Sequence, residues 1–218
     1  MSDHRIMIVD DHPVVREGYR RLIDLQPGLH IVSEAEDART AYIRFRETEP
    51  DLIVMDVTMP GTSGIEAIRH IRQYDESALV VVFTMHQGAA FALKSIEAGA
   101  AGYVTKSSSP DTLIKAIFGV LDGRTVISPD VIEAIAQDRI SGTNSRLGDL
   151  STRQTEILRL LACGWSAEQV AEALSISLKT VRNNHYQIKS LLGLQTDAQM
   201  VWFALEAGLV QAPADEQA

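Results

Sequence analysis

Short apolar segments alternate with amphipathic segments along the first 122 residues. Short apolar segments rich in β-branched side chains are typical of buried parallel strands. The predicted strands lie near residues 5–10, 30–35, 51–56, 79–84 and 101–105. Between them, apolar residues recur at helical spacing, as in Val15, Tyr19, Leu22 and Ile23, and Pro13 suits the first turn of that helix. Repeated strand–helix units predict a parallel sheet with helices on both faces.

Several of these predicted strands end in, or run into, a polar side chain that could do chemistry. The residues at these strand ends are Asp10, Asp11, Asp56, Thr84 and Lys106. The carboxyl ends of parallel strands lie at one edge of a sheet, and open α/β sheets bind their ligands there. We therefore expect the carboxylates, the hydroxyl and the ammonium group to meet in one site.

The pattern changes after residue 122. Apolar residues between Val131 and Ile135 follow Pro129 and predict a short helix. Residues 141–145 then carry polar side chains and turn formers, which are typical of a linker. We interpret residues 123–149 as a linker with a helical start. The alternative is a surface loop of one larger domain.

From Leu150 onward the pattern predicts four helices. Helix starts are indicated by capping residues and capping-box spacings, at Ser151 with Gln154, Ser166 with Gln169, Ser177, and Thr196. Gly164 stands where the first of these helices would end. The second and third helices, near residues 167–174 and 178–192, are separated by a tight turn. This spacing predicts a helix-turn-helix unit.

The third of these helices has one apolar and one polar side. Val181, Ile188 and Leu192 recur at core spacing. The other side carries the predicted DNA contacts, which are Lys179, Thr180, Arg182, Asn183, Asn184, Tyr186 and Lys189. Cations can contact phosphate or guanine, and asparagine can pair with adenine. DNA binding is therefore our interpretation, and a solvated helix face is the alternative.

Charge is unevenly distributed along the 218 residues, whose formal net charge is -9. Residues 1–122 contain 12 Lys and Arg against 18 Asp and Glu, whereas residues 151–211 contain 5 against 5. A polyanion would therefore have to meet a local basic face in the second part. The single cysteine, Cys163, excludes an intramolecular disulfide, and its helical context predicts a small core residue. No apolar run approaches the roughly 20 residues of a membrane span, so we expect a cytoplasmic protein.

Motifs in both parts stand in the order and at the spacing of a known family. They comprise Val9 to Pro13, Asp56 with Met59, Pro60, Gly61 and Gly64, then Thr84, Tyr103 and Lys106, and finally Leu150 to Glu156 and Lys179 to Val181. The first part resembles a response-regulator receiver domain. The whole chain resembles the two-component response regulators of the NarL/FixJ class, whose output domain is of the LuxR type.

The resemblance implies a fold and a domain organisation. It implies an α/β receiver over residues 1–122, a (βα)5 doubly wound parallel sheet of the flavodoxin or CheY-like kind. An all-α, four-helix helix-turn-helix domain would follow over residues 150–211. Residues 212–218 are predicted to be a disordered tail. Base preference is not implied, because the family commonly has a histidine where Asn184 stands and this chain has His185 after it.

The resemblance also implies roles for the residues at the strand ends. Asp56 would accept a phosphoryl group from a sensor histidine kinase, and Asp10 and Asp11 would bind Mg²⁺ together with Asp56. Thr84 and Tyr103 would act as the switch, and Lys106 would contact the phosphoryl group. The phosphorylated chain would then bind double-stranded DNA at promoter sites as a homodimer.

Physical chemistry is consistent with these roles. Three carboxylates in a small volume repel one another unless cations neutralise them. Mg²⁺ prefers hard oxygen ligands and often bridges to phosphate, and a lysine can stabilise charge on the phosphoryl oxygens. The alternatives are a constitutive DNA binder, an output domain that binds a protein, and an aspartyl-phosphate hydrolase. Such hydrolases need an Asp-x-Asp at the first strand, where this chain has adjacent Asp10 and Asp11.

Overall fold

The computed structural model describes residues 3–59, 63–141 and 147–210. These residues form two compact units, one containing most of the chain up to Ile132 and the other containing most of it from Glu133 onward. The predicted turn segment at 141–145 beyond Ser141, the motif residues Pro60 and Gly61, and the predicted tail lie outside the described residues. The domain boundaries at residues 122 and 149 stay predictions.

The first unit is built on a parallel sheet of six strands in the order β2-β1-β3-β4-β5-β6. The strands are β1 (His4–Val9), β2 (Leu29–Ala35), β3 (Leu52–Met55), β4 (Leu79–Thr84), β5 (Gly102–Thr105) and β6 (Val126–Ile127). The helices between β1 and β6 are α1 (Pro13–Asp24), α2 (Ala38–Thr48), α3 (Gly64–Tyr74), α4 (Ala89–Glu97) and α5 (Pro110–Leu121). The predicted fold class, a doubly wound receiver sheet, is confirmed.

The apolar strands are buried because helices cover the sheet. Alternate residues of β1, such as Ile6 and Ile8, pack into a cluster with Ile23 of α1 and with Leu113 and Ile117 of α5. Their neighbours in sequence, including Met7, are also buried. Burial on both faces explains why these strands are continuously apolar instead of alternating. The polar residues that follow them are thereby brought to one edge of the sheet.

The sixth strand was not predicted from the sequence pattern. Val126 pairs with Gly102 and Ile127 pairs with Tyr103, and the Ser128 N–H donates to the Tyr103 carbonyl at 2.9 Å. A two-residue apolar segment carries too little periodic signal to indicate a strand. It pairs because β5 would otherwise leave its outer backbone groups without partners. The helix predicted after Pro129 is present as α6 (Pro129–Ser141).

The remaining helices are α7 (Thr152–Ala162), α8 (Ala167–Ala173), α9 (Leu178–Leu192) and α10 (Asp197–Glu206). The two predicted capping boxes are confirmed, and the side chains of Ser177 and Thr196 cap α9 and α10 as predicted. The core of this unit is apolar and is formed by Val170, Val181, Ile188, Leu192, Met200 and Phe203. The prediction for Cys163 is wrong. It is exposed, because α7 ends at this residue and turns away at Gly164.

Candidate functional site

Two carboxylates and one ammonium group meet at the carboxyl edge of the sheet. Asp10 follows β1 and Asp56 follows β3, and both are buried. Lys106, which follows β5, places its Nζ 2.5 Å from an oxygen of each carboxylate. The Lys106 side chain is only 8% exposed, so solvent screens this interaction weakly. The structure thus brings together three of the residues that the strand ends predict.

Asp10 is fixed by its neighbours at both its backbone and its side chain. Its N–H donates to the Ala35 carbonyl of β2 at 3.1 Å. Its Oδ1 accepts from the His12 N–H at 2.8 Å, and its Oδ2 accepts from Lys106. Side chains that are held in this way present their oxygens at defined positions.

Asp56 is fixed by the strand beside it and by the loop after it. Its N–H donates to the Val9 carbonyl at 2.8 Å, and its Oδ1 accepts from the Thr58 N–H at 3.0 Å. Gly64 packs against this backbone, because a Cβ at Gly64 would meet the Asp56 carbonyl oxygen and lie 2.7 Å from the Val57 Cα. A glycine is therefore required where α3 begins.

The electrostatic environment shifts two of these groups. Burial raises the pKa of the Asp56 carboxyl above its ordinary value, and the attraction and hydrogen bonds of Lys106 and Thr58 only partly offset this. Burial also lowers the pKa of Lys106, but attraction to Asp56 and the hydrogen bonds to both carboxylates outweigh it, so that pKa is raised. Lys106 therefore keeps its proton, while burial disfavours the ionised form of Asp56. This combination suits a site that receives an anion.

The acidic residues have the composition of a metal site. One possible ligand atom from each of Asp10, Asp11, His12 and Asp56 lies within 4.8 Å of all the others. The buried Oδ1 of Asp11 accepts no hydrogen bond of acceptable geometry from the described residues, although His12 Nδ1 lies 2.8 Å away. Carboxylate oxygens are hard ligands, so these residues fit a small divalent cation such as Mg²⁺. His12 was not among the predicted ligands.

The predicted switch residues lie beside this site. Thr84, at the end of β4, and Tyr103, in β5, are both fully buried. The Thr84 Oγ1 is 3.5 Å from the His86 N–H, and the Tyr103 hydroxyl donates to the His86 carbonyl at 2.9 Å. Burial, followed by the negative charges of Asp56 and Asp130, raises the pKa of Tyr103 well above its ordinary value. The phenol therefore stays protonated and can donate.

Two further residues at this edge were missed from the sequence. The Thr58 Oγ1 lies 2.6 Å from His86 Nε2, and the His86 ring stacks on Phe91 at 3.9 Å. This pair joins the loop after Asp56 to the loop after Thr84. Its only signal in the sequence is position, since Thr58 and His86 each stand two residues after a predicted site residue.

Helix α9 presents the predicted polar face, with Val181, Ile188 and Leu192 buried on its other side. Lys179, Thr180, Arg182, Asn183 and Tyr186 are exposed, and Tyr186 is 75% exposed. An exposed helix that combines cations, an amide and an aromatic ring is suited to the major groove. These five residues define what we call the recognition face.

Two of the predicted DNA contacts, Asn184 and Lys189, are less exposed than the recognition face and already have hydrogen-bond partners. Lys189 is only 25% exposed and donates to Asp197 of α10 at 3.0 Å, where His185 also lies within 2.9 Å of that carboxylate. The hydrogen bond from Lys189, followed by nearby positive charge, lowers the pKa of Asp197 even though burial opposes this. The Asn184 amide donates to the Thr180 carbonyl at 2.8 Å. Both side chains are already engaged within the unit.

Two families match the chain in the two regions just described. The response regulator receiver domain matches residues 6–118, and the luxR family of bacterial regulatory proteins matches residues 149–204. The response regulator UvrY of Escherichia coli (strain K12) is 32% identical over 209 residues, which is 95% of this chain and 96% of UvrY. The chain thus belongs to the two-component response regulators, and it combines a receiver domain with a LuxR-type DNA-binding domain. The predicted NarL/FixJ class is confirmed.

Solved structures show the same likeness. A two-component response regulator of the LuxR family from Aurantimonas sp. SI85-9A1 is 60% identical and covers 64% of this chain and 99% of its own, with a TM-score of 0.62. RcsB from Salmonella enterica serovar Typhimurium, bound to promoter rprA in the presence of phosphomimetic BeF3-, is 26% identical and covers 93% of this chain and 98% of its own, with a TM-score of 0.65. None of the helices within the described ranges is long and apolar enough to cross a membrane.

Proposed function

We propose that Asp56 accepts a phosphoryl group from a sensor histidine kinase, and that this modification controls promoter binding by the recognition face. The observation that carries the proposal is Lys106, which contacts both Asp10 and Asp56 at 2.5 Å at the edge of a receiver sheet. Such an arrangement holds one carboxylate ready as an acceptor and keeps a cation beside it. We also propose a cytoplasmic location, where the kinase output and the DNA are both accessible.

Transfer requires a nucleophile and stabilisation of charge. An Asp56 oxygen forms the new bond to phosphorus while the bond between phosphorus and the donor atom breaks, and the donor keeps that electron pair. Lys106 then pairs with the phosphoryl oxygens, which bear the charge of the transition state. Mg²⁺, held by Asp10, Asp11 and Asp56, would supply the additional positive charge. The fixed backbone of Asp56 keeps its oxygen aligned for attack.

The modification is transmitted through residues that already lie against the site. A phosphoryl oxygen offers the Thr84 hydroxyl a new acceptor. The movement of Thr84 alters the space available to Tyr103, whose hydroxyl now holds the His86 carbonyl. To move the protein from a mostly inactive to a mostly active form, the modification must supply up to about 5.5 kcal/mol of differential stabilisation.

The proposed output of phosphorylation is the binding of a homodimer to double-stranded DNA. The recognition face carries the cations Lys179 and Arg182 beside Asn183, a set that can contact both phosphates and base edges. RcsB, which is similar to this chain, has been solved bound to promoter DNA. Two-fold DNA sites are commonly read by two-fold protein dimers. The family match favours this regulator over the aspartyl-phosphate hydrolase.

The test is selection of a DNA site by the full chain with and without a small phosphodonor, with Asp56→Asn as the matched variant. We expect the phosphodonor to tighten binding by the wild type and to have no effect on Asp56→Asn. Equal binding under all conditions would indicate a constitutive DNA binder. Affinity that does not fall with salt would indicate a protein partner instead, because phosphate contacts release counterions.

A further inference from the structure

Arg16 of α1 reaches back to the acidic site from outside it. Its guanidinium Nη1 donates to the carbonyl oxygen of Asp10 at 2.6 Å, and its Nε donates to the Glu34 carboxylate at 3.2 Å. The side chain is only 16% exposed. Arg20, one helical turn later, also donates to Glu34 at 2.8 Å. Arg16 thus links the end of β1 to the carboxyl end of β2.

The hydrogen bond to the Asp10 carbonyl falls on a particular peptide. That carbonyl belongs to the peptide group that joins Asp10 to Asp11, the two adjacent carboxylates of the acidic cluster. Rotation of this peptide would turn the two side chains relative to each other. The N–H of Asp10 is meanwhile held by Ala35, the residue that follows Glu34 in β2. Strand β2 therefore fixes Asp10 on one side directly and on the other through Arg16.

We propose that Arg16, oriented by Glu34, is a positioning residue that fixes the Asp10–Asp11 peptide so that both carboxylates face one divalent cation. This inference rests on the proposed metal site. Groups that orient metal ligands without touching the metal commonly change metal affinity by about 10- to 100-fold when they are removed. The guanidinium is paired with Glu34, so its own charge repels the cation only weakly.

Geometry and simple charge repulsion predict different outcomes. If Arg16 acted only through its charge, its removal would tighten cation binding, and removal of the Glu34 charge would weaken it. If Arg16 acts by positioning, both changes weaken binding. Arg20→Met is the matched control, because Arg20 contacts Glu34 but does not reach Asp10 within the described hydrogen bonds.

The experiment measures Mn²⁺ binding to the unphosphorylated full chain by electron paramagnetic resonance. We expect Arg16→Met to weaken Mn²⁺ binding about tenfold, Glu34→Gln to weaken it less, and Arg20→Met to leave it within about twofold. Arg16→Lys, which keeps the charge but loses the forked donor, should lie between the wild type and Arg16→Met. With a small phosphodonor, Arg16→Met should need more Mg²⁺ for half-maximal phosphorylation but reach the wild-type rate at saturation.

The outcomes separate the two proposals. Wild type that fails to bind Mn²⁺ contradicts the metal site itself. Wild type that binds, with Arg16→Met unchanged or tighter, overturns the positioning role. If Arg16→Met does not fold, as judged by circular dichroism, Arg16→Lys decides: it keeps the charge, so unchanged Mn²⁺ affinity in this variant then overturns the positioning role.

Discussion

The acidic site of the receiver and the recognition face of α9 use charge in opposite ways. In the receiver, Lys106 is buried between two carboxylates that lie 96 and 50 residues away in sequence. On α9, cations are exposed or are paired with acids on neighbouring helices, as Lys189 is with Asp197. The charges of the receiver site are buried, where water screens them weakly. The cations of the recognition face are exposed, where a charged partner can reach them. The same residue type therefore has different consequences in the two regions.

The strongest test of this contrast is the same substitution in both regions. Without metal, Lys106→Met leaves Asp10 and Asp56 buried without their cation, which should cost about 3–5 kcal/mol of stability. Lys189→Met removes one partner of a partly exposed pair and should cost less than about 1 kcal/mol. Both losses of stability are measured by urea unfolding in EDTA, and hydrogen exchange of the amides of β1, β3 and α9 assigns each loss to its region. Mg²⁺ should restore part of the loss for Lys106→Met, and equal losses in the two variants would contradict the contrast.

A smaller effect is expected from the glycine that packs beside Asp56. The Cβ of Gly64→Ala would meet the Asp56 carbonyl and the Val57 Cα, and overpacking of this kind costs about 1–3 kcal/mol. Asp56 would be displaced, so phosphorylation by a small phosphodonor should also slow. Gly18→Ala in α1 is the control, since a Cβ there meets nothing within 4 Å. It should stabilise the chain by about 0.5–1 kcal/mol. Thermal melting that shows both variants alike would argue against the close approach.

Sequence patterns predicted the acidic site of the receiver better than the recognition face of α9, for a physical reason. Parallel strands place their ends together, so Asp10, Asp56 and Lys106 could be grouped without coordinates. The partners of Arg16 and Lys189 come from other elements, and no local pattern indicates which side chains will meet. β6 escaped prediction because two residues are too few for a period, and Cys163 was misplaced because its helix ends there.

The recognition face offers a comparison between two lysines on one helix. Lys179 is exposed at the start of α9, whereas the charge of Lys189 is already paired with Asp197. If Lys179 contacts a phosphate, Lys179→Met should reduce the slope of log affinity against log salt by about 1. Lys189→Met should change that slope by less. DNA binding across a salt series measures both slopes. A larger change in slope for Lys189→Met than for Lys179→Met would identify Lys189 as the phosphate contact.

The smallest effect expected is a dependence of stability on pH, with opposite signs at two aspartates. The pKa of Asp56 is raised in the folded chain, so stability falls as the pH rises from the ordinary pKa to the folded one, and the full loss is present above the folded pKa. In EDTA, Asp56→Asn should therefore be more stable than the wild type at neutral pH, and the gain should vanish as the pH falls through the folded pKa toward the ordinary one. Hydrogen bonds from the Ser77 side chain and backbone lower the pKa of Asp75, so Asp75→Asn should instead lose stability at neutral pH. Urea midpoints between acid and neutral pH test both signs. A loss of stability in Asp56→Asn at neutral pH would mean that Lys106 outweighs burial at the phosphoacceptor.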